Sequence, residues 1–321
     1  MEYSLGLEIN LYMITFLSSP KAFKGIDKDN QYRAIKSWLS SAKDVEVILY
    51  GNSIGIDEAG LDLNVKVIKE IESSNSGAPF FGAIVNHASK HGKYDIQTYL
   101  NCDILIFNIS DTISKIIFNK FLGVGQRIDL SEGVFIDDMV ENYSKILNDL
   151  HFTNKAILHE STGIDYFIFQ RNMWQDLKQI TIGRGGYDNA LLNFCKQENI
   201  PIIDCTFNLI ALHQFHNYNH VNGNKNFVFY GDEAKSNLEV AGRYSLLSVS
   251  DADYVLENNN LNKNFCRGDI IREVELKIKY KYKLKAISLL IRIIWKFLFF
   301  IKIIRPREYK LSEILLKSRQ F

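Results

Sequence analysis

From Tyr12 onward, short apolar runs alternate with stretches whose apolar residues recur at helical spacing. YMITFLSS, from Tyr12 to Ser19, predicts a buried first strand that Pro20 stops. Tyr32, Ile35, Trp38 and Leu39 share one face of a helix expected over Asn30 to Ser41. VEVILYGN (Val45 to Asn52) predicts a second strand running into a glycine turn, and VKVIKEI (Val65 to Ile71) a third with strict alternation. A helix is expected over Ala78 to His91, then strands over Asp95 to Phe107 and Lys120 to Leu130. The second half predicts a helix over Phe135 to Leu150, an apolar stretch IDYFIFQRNMW from Ile164 to Trp174, and a glycine-rich turn from Gly183 to Asn189. A helix to about Gln197 and a strand over Pro201 to Gln214 follow. Strands separated by helices imply an α/β fold with a mostly parallel, Rossmann-type sheet flanked by helices. Ligands of such sheets bind outside the carboxyl ends of the strands.

Near Cys266 the pattern changes to IREVELKIKYKYKLKAISLLIRIIWKFLFFIKIIRPREYK. On a helical wheel Lys281, Lys285, Ser288, Arg292 and Lys296 fall within about 40° of one line, and Ile287, Leu290, Ile291, Ile294, Trp295, Leu298 and Ile301 cover the other faces. The longest uncharged run is shorter than the roughly 20 residues needed to span a bilayer. The pattern fits a helix lying in the membrane plane, its basic stripe toward anionic headgroups and Trp295 near the interface. Docking of the same helix on its own domain or on a partner is the alternative. The chain is thus expected to divide into a catalytic domain over 1–265 and a basic amphipathic tail over 266–321, with the membrane contact in 280–304.

Composition changes this picture little. At 321 residues, 46% hydrophobic and 23% charged, the chain can bury one large core or two small ones. A net charge of +1 argues against nucleic acid as a partner. Cys102, Cys195, Cys205 and Cys266 show no CxxC spacing, and MEYSLGLEIN lacks the basic start and apolar core of a signal peptide, so reduced thiols and a cytoplasmic location are expected.

Three places could carry chemistry. YLNCDILIF sets Asn101 and Asp103 inside an apolar run, where an ionised carboxylate costs several kcal/mol unless something pairs with it. The strand ends there and the pair faces solvent, or a ligand is the missing partner; a hard divalent cation would suit the carboxylate. In GRGGYDNALL the glycines allow a sharp turn and put Asp188 in the first turn of a helix, as a helix cap or as a general base. HQFHNYNHV holds His213, His216 and His220. Their spacing would converge on one ion only from a helix, which Asn217, Asn219, Asn222 and Gly223 oppose, so one histidine joining Asp103 on a metal, or donating to a phosphate, is the better expectation.

With these pieces in order, the sequence resembles GT-A-fold nucleotide-sugar glycosyltransferases of bacterial surface-polysaccharide biosynthesis. The resemblance covers about residues 12 to 250 and rests on the order of ITFLSSPKAF, AIKSWL, VEVILYGN, YLNCDILIF, LGVGQRIDL, TGIDYFIFQRNMW, GRGGYDN and DCTFNLIALHQFHNYNHV. It implies a nucleoside diphosphate sugar as donor, a divalent cation (Mn or Mg), and a glycan or lipid-linked acceptor at the inner face of a membrane. The family's Asp-x-Asp corresponds here to Asn101-Cys102-Asp103, so Asn101 would touch the donor ribose and Asp103 the metal. Ser18 and Gly51 would lie against the donor, Arg127 would lie against donor phosphate or sugar or else form a structural ion pair, His213 or His216 would complete the metal site, Asp188 would be the base and Asp165 would lie beside the acceptor. A sugar-1-phosphate nucleotidyltransferase would carry a glycine-rich basic loop after the first strand, which LSSPKAFKG does not provide. A glycosyltransferase-like scaffold that has lost catalysis is the non-enzyme alternative, suggested by Asn101.

Overall fold

A computed structural model describes residues 13–136, 143–216, 224–242, 246–265, 269–304 and 308–318. His220 and Cys266 lie outside the described residues. The strands are β1 (Met13–Ser18), β2 (Asp44–Tyr50), β3 (Lys66–Ile68), β4 (Ile96–Leu100), β5 (Ile104–Phe107), β6 (Leu122–Val124), β7 (Ile128–Leu130), β8 (Ala156–Leu158), β9 (Tyr166–Gln170), β10 (Ile202–Asp204), β11 (Ile210–His213), β12 (Tyr254–Glu257) and β13 (Asn260–Lys263). The helices are α1 (Gly25–Leu39), α2 (Ile56–Asp62), α3 (Phe81–His91), α4 (Ile109–Ser114), α5 (Tyr143–Phe152), α6 (Tyr187–Gln197), α7 (Asn224–Tyr230), α8 (Asp232–Ala241), α9 (Ile270–Leu276), α10 (Lys285–Phe300) and α11 (Leu311–Ser318).

Nine strands form the main sheet in the order β13-β12-β10-β6-β9-β4-β1-β2-β3. All run one way except β9 and β13, which pair antiparallel with their neighbours. The mostly parallel α/β architecture expected from the sequence is therefore present. One apolar cluster joins Leu17, Tyr99, Phe167 and Phe169 to α3 and α6, and another joins Ile14, Phe16 and Ile168 to Ile35 and Trp38 of α1. Helix α1 begins five residues before its expected start, at Gly25 with φ of 52°. Its N-cap, Lys24, makes no side-chain cap, so no capping residue marks that start in the sequence.

The main correction concerns three long apolar runs, each expected as one strand. Asp95 to Phe107 splits into β4 and β5, Lys120 to Leu130 into β6 and β7, and Pro201 to Gln214 into β10 and β11. The first half of each stays in the main sheet, and the second half crosses into a four-stranded sheet ordered β5-β11-β7-β8. Polar side chains secure the breaks. Asp204 Oδ1 accepts from the Thr206 amide at 3.0 Å, and Thr206 Oγ1 accepts from the Gln126 amide at 2.9 Å, tying two of the breaks together. Gly125 lies where a Cβ would collide with the Tyr166 hydroxyl and press on the Thr206 backbone, so only glycine lets the two breaks approach this closely.

Packing runs across the boundary expected at residue 266. Arg272 of α9 is buried against Asp251, with its Nε 2.7 Å from Oδ1, and also pairs with Glu275. Leu311, Ile314 and Leu315 of α11 complete a core with Leu105, Ile128, Phe207 and Leu212 of the small-sheet side. Among the described residues no helix is long and apolar enough to cross a membrane. Of the basic stripe expected on helix α10, Ser288 and Arg292 face the protein, while Lys281, Lys285 and Lys296 are exposed. Ser288 is buried and its hydroxyl donates to Glu275 at 3.0 Å; Arg292 stacks over Trp295 at 4.4 Å; the Trp295 indole donates to Asp269. The buried Glu275 of α9 and Asp269 at its N-cap hold Ser288, Arg292 and Trp295 inward, and much of the apolar surface of α10 is left outside. Ile287, Leu290, Ile293, Ile294, Phe297 (60% exposed) and Phe300 (81%) form that outer face.

Candidate active site

The gap between β4 and β5 is where the chain leaves one sheet for the other, and it carries Asn101 and Asp103. The expected choice between a solvent-facing pair and a ligand-facing one resolves against solvent, because Asp103 is only 6% exposed. Strand β11 lies between β5 and β7, and its register sets His213 opposite Ile104 on one side and Asp129 on the other. His216 follows in an extended segment pinned to α1, where Asn30 Nδ2 donates to the Phe215 carbonyl at 2.9 Å and Arg33 Nε to Gln214 Oε1 at 2.9 Å. His213 and His216 thereby reach Asp103 from a strand end and a loop, without the helix that three-residue spacing would otherwise require.

Asp103, His213 and His216 each offer one ligand atom, all within 4.8 Å of one another. Asp103 Oδ2 is 3.3 Å from His216 Nε2 and 3.9 Å from His213 Nε2. The Lys21 ammonium is 2.9 Å from the same oxygen and 3.2 Å from His216 Nε2. Burial alone would raise the Asp103 pKa, but Lys21, His216 and His213 together hold it well below the usual carboxylate range. Its other oxygen, Oδ1, is buried with no hydrogen-bond partner. A buried carboxylate oxygen without a donor is costly in a closed protein and suited to a cation.

Asp129 supports this cluster from behind. Its Oδ1 is 3.1 Å from His213 Nδ1, which leaves Nε2 directed toward Asp103, the arrangement in which a carboxylate orients a metal-binding imidazole. Asp129 also meets His159 Nδ1 at 2.6 Å and Arg127 Nε at 2.8 Å. Despite burial, its carboxyl is held far below the usual range by His159, His213 and Arg127. Arg127 continues to Asp165, which in turn accepts from Asn101 Nδ2. The Tyr187 hydroxyl donates to Asn101 Oδ1 at 3.3 Å. Asn101, Arg127 and Asp165 are thus joined to the histidine cluster through one polar chain.

Asp188 occupies the first turn of α6, but the capping position is Gly186, in the left-handed region at φ 82°. Burial pushes the Asp188 carboxyl up to about 7, against the pull of the Asn189 amide, with the Asp165 charge adding to the rise. That environment suits a group that exchanges a proton near neutral pH.

Two further expected contacts stand differently. Ser18 is fully buried, and its hydroxyl donates to the Leu100 carbonyl at 2.7 Å, so it joins β1 to β4 and is closed to a ligand. Gly51, at φ 109°, ends β2 and turns the chain beside Ser19. Lys21, Asp129, His159 and Tyr187 belong to the constellation and were not singled out from sequence. The lysine that follows the first strand was the one visible signal.

A cavity of about 690 Å³ adjoins the polar chain, lined among others by Gln126, His159 and Asn189 and by Arg292, Trp295 and Phe299 of α10. Cys102, Cys195 and Cys205 are buried free thiols whose pKa values burial pushes up.

No protein-family model matches the chain, and no curated protein matches its sequence. Among solved structures it is similar to glucosyl-3-phosphoglycerate synthase from Mycobacterium tuberculosis in complex with Mg²⁺ and uridine diphosphate, at 12% identity and a TM-score of 0.41, over 75% of this chain and 85% of that one. The same enzyme with Mn²⁺, UDP-glucose and phosphoglyceric acid gives 11% identity and a TM-score of 0.41, over 75% and 85% of the two chains. With Mn²⁺, UDP and glucosyl-3-phosphoglycerate it gives 13% and 0.41, over the same shares.

Proposed function

We propose that the protein is a nucleotide-sugar glycosyltransferase, moving a sugar from a nucleoside diphosphate sugar to a hydroxyl of a glycan or lipid-linked acceptor. The observation that carries this reading is the cluster of Asp103, His213 and His216, whose ligand atoms lie within 4.8 Å of one another at the gap between β4 and β5. Asp103 is kept ionised among cations, and Asp188 is lifted to about 7. The first suits a counter-charge for a departing diphosphate, and the second a base for an incoming hydroxyl. Asp103, His213 and His216 would hold the divalent ion, Mn or Mg, and the unpartnered Asp103 Oδ1 supports that fit. When bound, the ion would supply positive charge to the leaving diphosphate as the bond to the sugar breaks.

Around that centre Asn101, Arg127 and Gly51 are proposed donor contacts, and Asp165 orients Arg127 and Asn101 beside the acceptor. The cavity that reaches α10 offers room for the acceptor. A screen of nucleoside diphosphate sugars with and without Mn²⁺ should raise the melting temperature with a preferred donor, because ligand that binds only the folded state stabilises it. No shift with any donor sinks the proposal. The scaffold alternative draws on Asn101, whose amide replaces an acid and is already engaged by Asp165; it predicts a donor-induced shift with no donor turnover.

The same reading places the enzyme on the cytoplasmic face of a membrane, with α10 as the contact. The support is its outward apolar face, flanked by exposed Lys281, Lys283, Lys285, Lys296 and Lys302 that complement anionic headgroups. Because α9 and α11 belong to the core, point substitutions test this better than truncation. Ile294→Glu with Phe297→Glu should lower binding to phosphatidylserine-containing vesicles at least about tenfold, since each replaces buried apolar area by a charge, and leave nucleotide affinity unchanged. Unchanged vesicle binding would remove the membrane from the proposal.

A further inference from the structure

Lys21 sits in the loop after β1, with its backbone clamped. Its amide donates to Gln31 Oε1 at 2.7 Å, and its carbonyl accepts from Gln31 Nε2 at 3.2 Å. The side chain is 30% exposed and carries its ammonium to Asp103 Oδ2 at 2.9 Å and His216 Nε2 at 3.2 Å. An ammonium can only donate, so it occupies Asp103 Oδ2 and sits against the His216 nitrogen that a metal ion would use. Metal ions bind such ligands at about 2.0–2.2 Å. The ammonium lies within 3.2 Å of both Asp103 Oδ2 and His216 Nε2, so an ion bridging those two atoms at such lengths would displace it.

We infer that Lys21 is a tethered cation that keeps the ion position closed: seating of its ammonium and binding of a divalent ion at Asp103, His213 and His216 exclude one another. The inference rests on the metal reading of the proposed function. In the metal-free protein Lys21 is the foremost of the groups that offset the charge of a buried carboxylate, beside His213 and His216. When an ion enters, the flexible four-carbon stem lets the ammonium leave by its exposed side, where it becomes a point charge for diphosphate oxygens. The lysine thus sets how tightly the metal binds, as a positioning residue.

Mn²⁺ binding to the full chain, followed by the electron paramagnetic resonance of free Mn²⁺, tests this in Lys21→Met and Lys21→Arg. Lys21→Met keeps an apolar stem without charge and should bind Mn²⁺ at least about tenfold more tightly than wild type, because the competitor is gone. Lys21→Arg retains a cation and should stay close to wild type. Melting curves give a second readout: Lys21→Met should melt below wild type without metal and gain more from added Mn²⁺. Equal or weaker Mn²⁺ binding by a folded Lys21→Met overturns the inference and leaves the metal reading standing. Absence of Mn²⁺ binding in wild type and both variants overturns the two together.

Discussion

Asp188→Asn is expected to lower sugar transfer by about 10²–10⁴-fold, the range that a positioned general base contributes, while donor binding persists. In the wild type the base must be ionised, so transfer should rise with pH through about 7 and level off above it. The residual rate of the variant should lose that step. Stability should move the opposite way. Burial lifts the folded-state carboxyl above its unfolded value, so ionising it costs stability as pH rises from the ordinary carboxylate range to about 7. Asp188→Asn should therefore melt higher than wild type at pH 8, with the gain fading at acid pH. Transfer assays and melting curves across pH check both halves, and a variant that is inactive and less stable at pH 8 would point to a structural role.

Asp103→Asn should abolish measurable Mn²⁺ binding, a loss beyond about 100-fold, since removing even an outer partner of a metal ligand costs about 10–100-fold. Transfer should fall by about 10²–10³-fold, as expected when charge stabilisation of a leaving group is removed. Its pH signature contrasts with that of Asp188. The Asp103 pKa is depressed in the folded state, so the stability it contributes is present above the ordinary carboxylate range and lost as pH falls below it. The variant lacks this contribution and should show a shallower acid loss than wild type. Calorimetric metal titration and acid melting curves provide the measurement; wild-type Mn²⁺ affinity in a folded Asp103→Asn would exclude this carboxylate as the ligand.

Both aspartates were visible in the sequence because their surroundings made them anomalous: a carboxylate inside YLNCDILIF and another after GRGGY. His213 and His216 were visible as a cluster, but the loop text around them gave no way to judge whether they converge. Their convergence depends on β11 inserting between β5 and β7, a pairing among segments more than 80 residues apart. Asp129 reads as an ordinary polar position of a strand in QRIDL, and only that same pairing turns it toward His213. Ser18 illustrates the reverse. The resemblance implied a donor contact there, while the adjoining β4 takes its hydroxyl.

Local pattern alone determined the α/β class and the alternation of buried strands with helices through the first half of the chain, because periodicity follows from which side chains a strand or helix must bury. It could not show that three apolar runs each break and change sheets, since both halves are buried and equally hydrophobic. That was decided by long-range pairing, by Gly125 allowing close approach, and by Asp204 and Thr206 capping the break. The facing of α10 was likewise a tertiary matter. A helical wheel separates its faces, but only the buried acids Asp269 and Glu275 decide that Ser288, Arg292 and Trp295 face the protein and that Ile294, Phe297 and Phe300 stay outside.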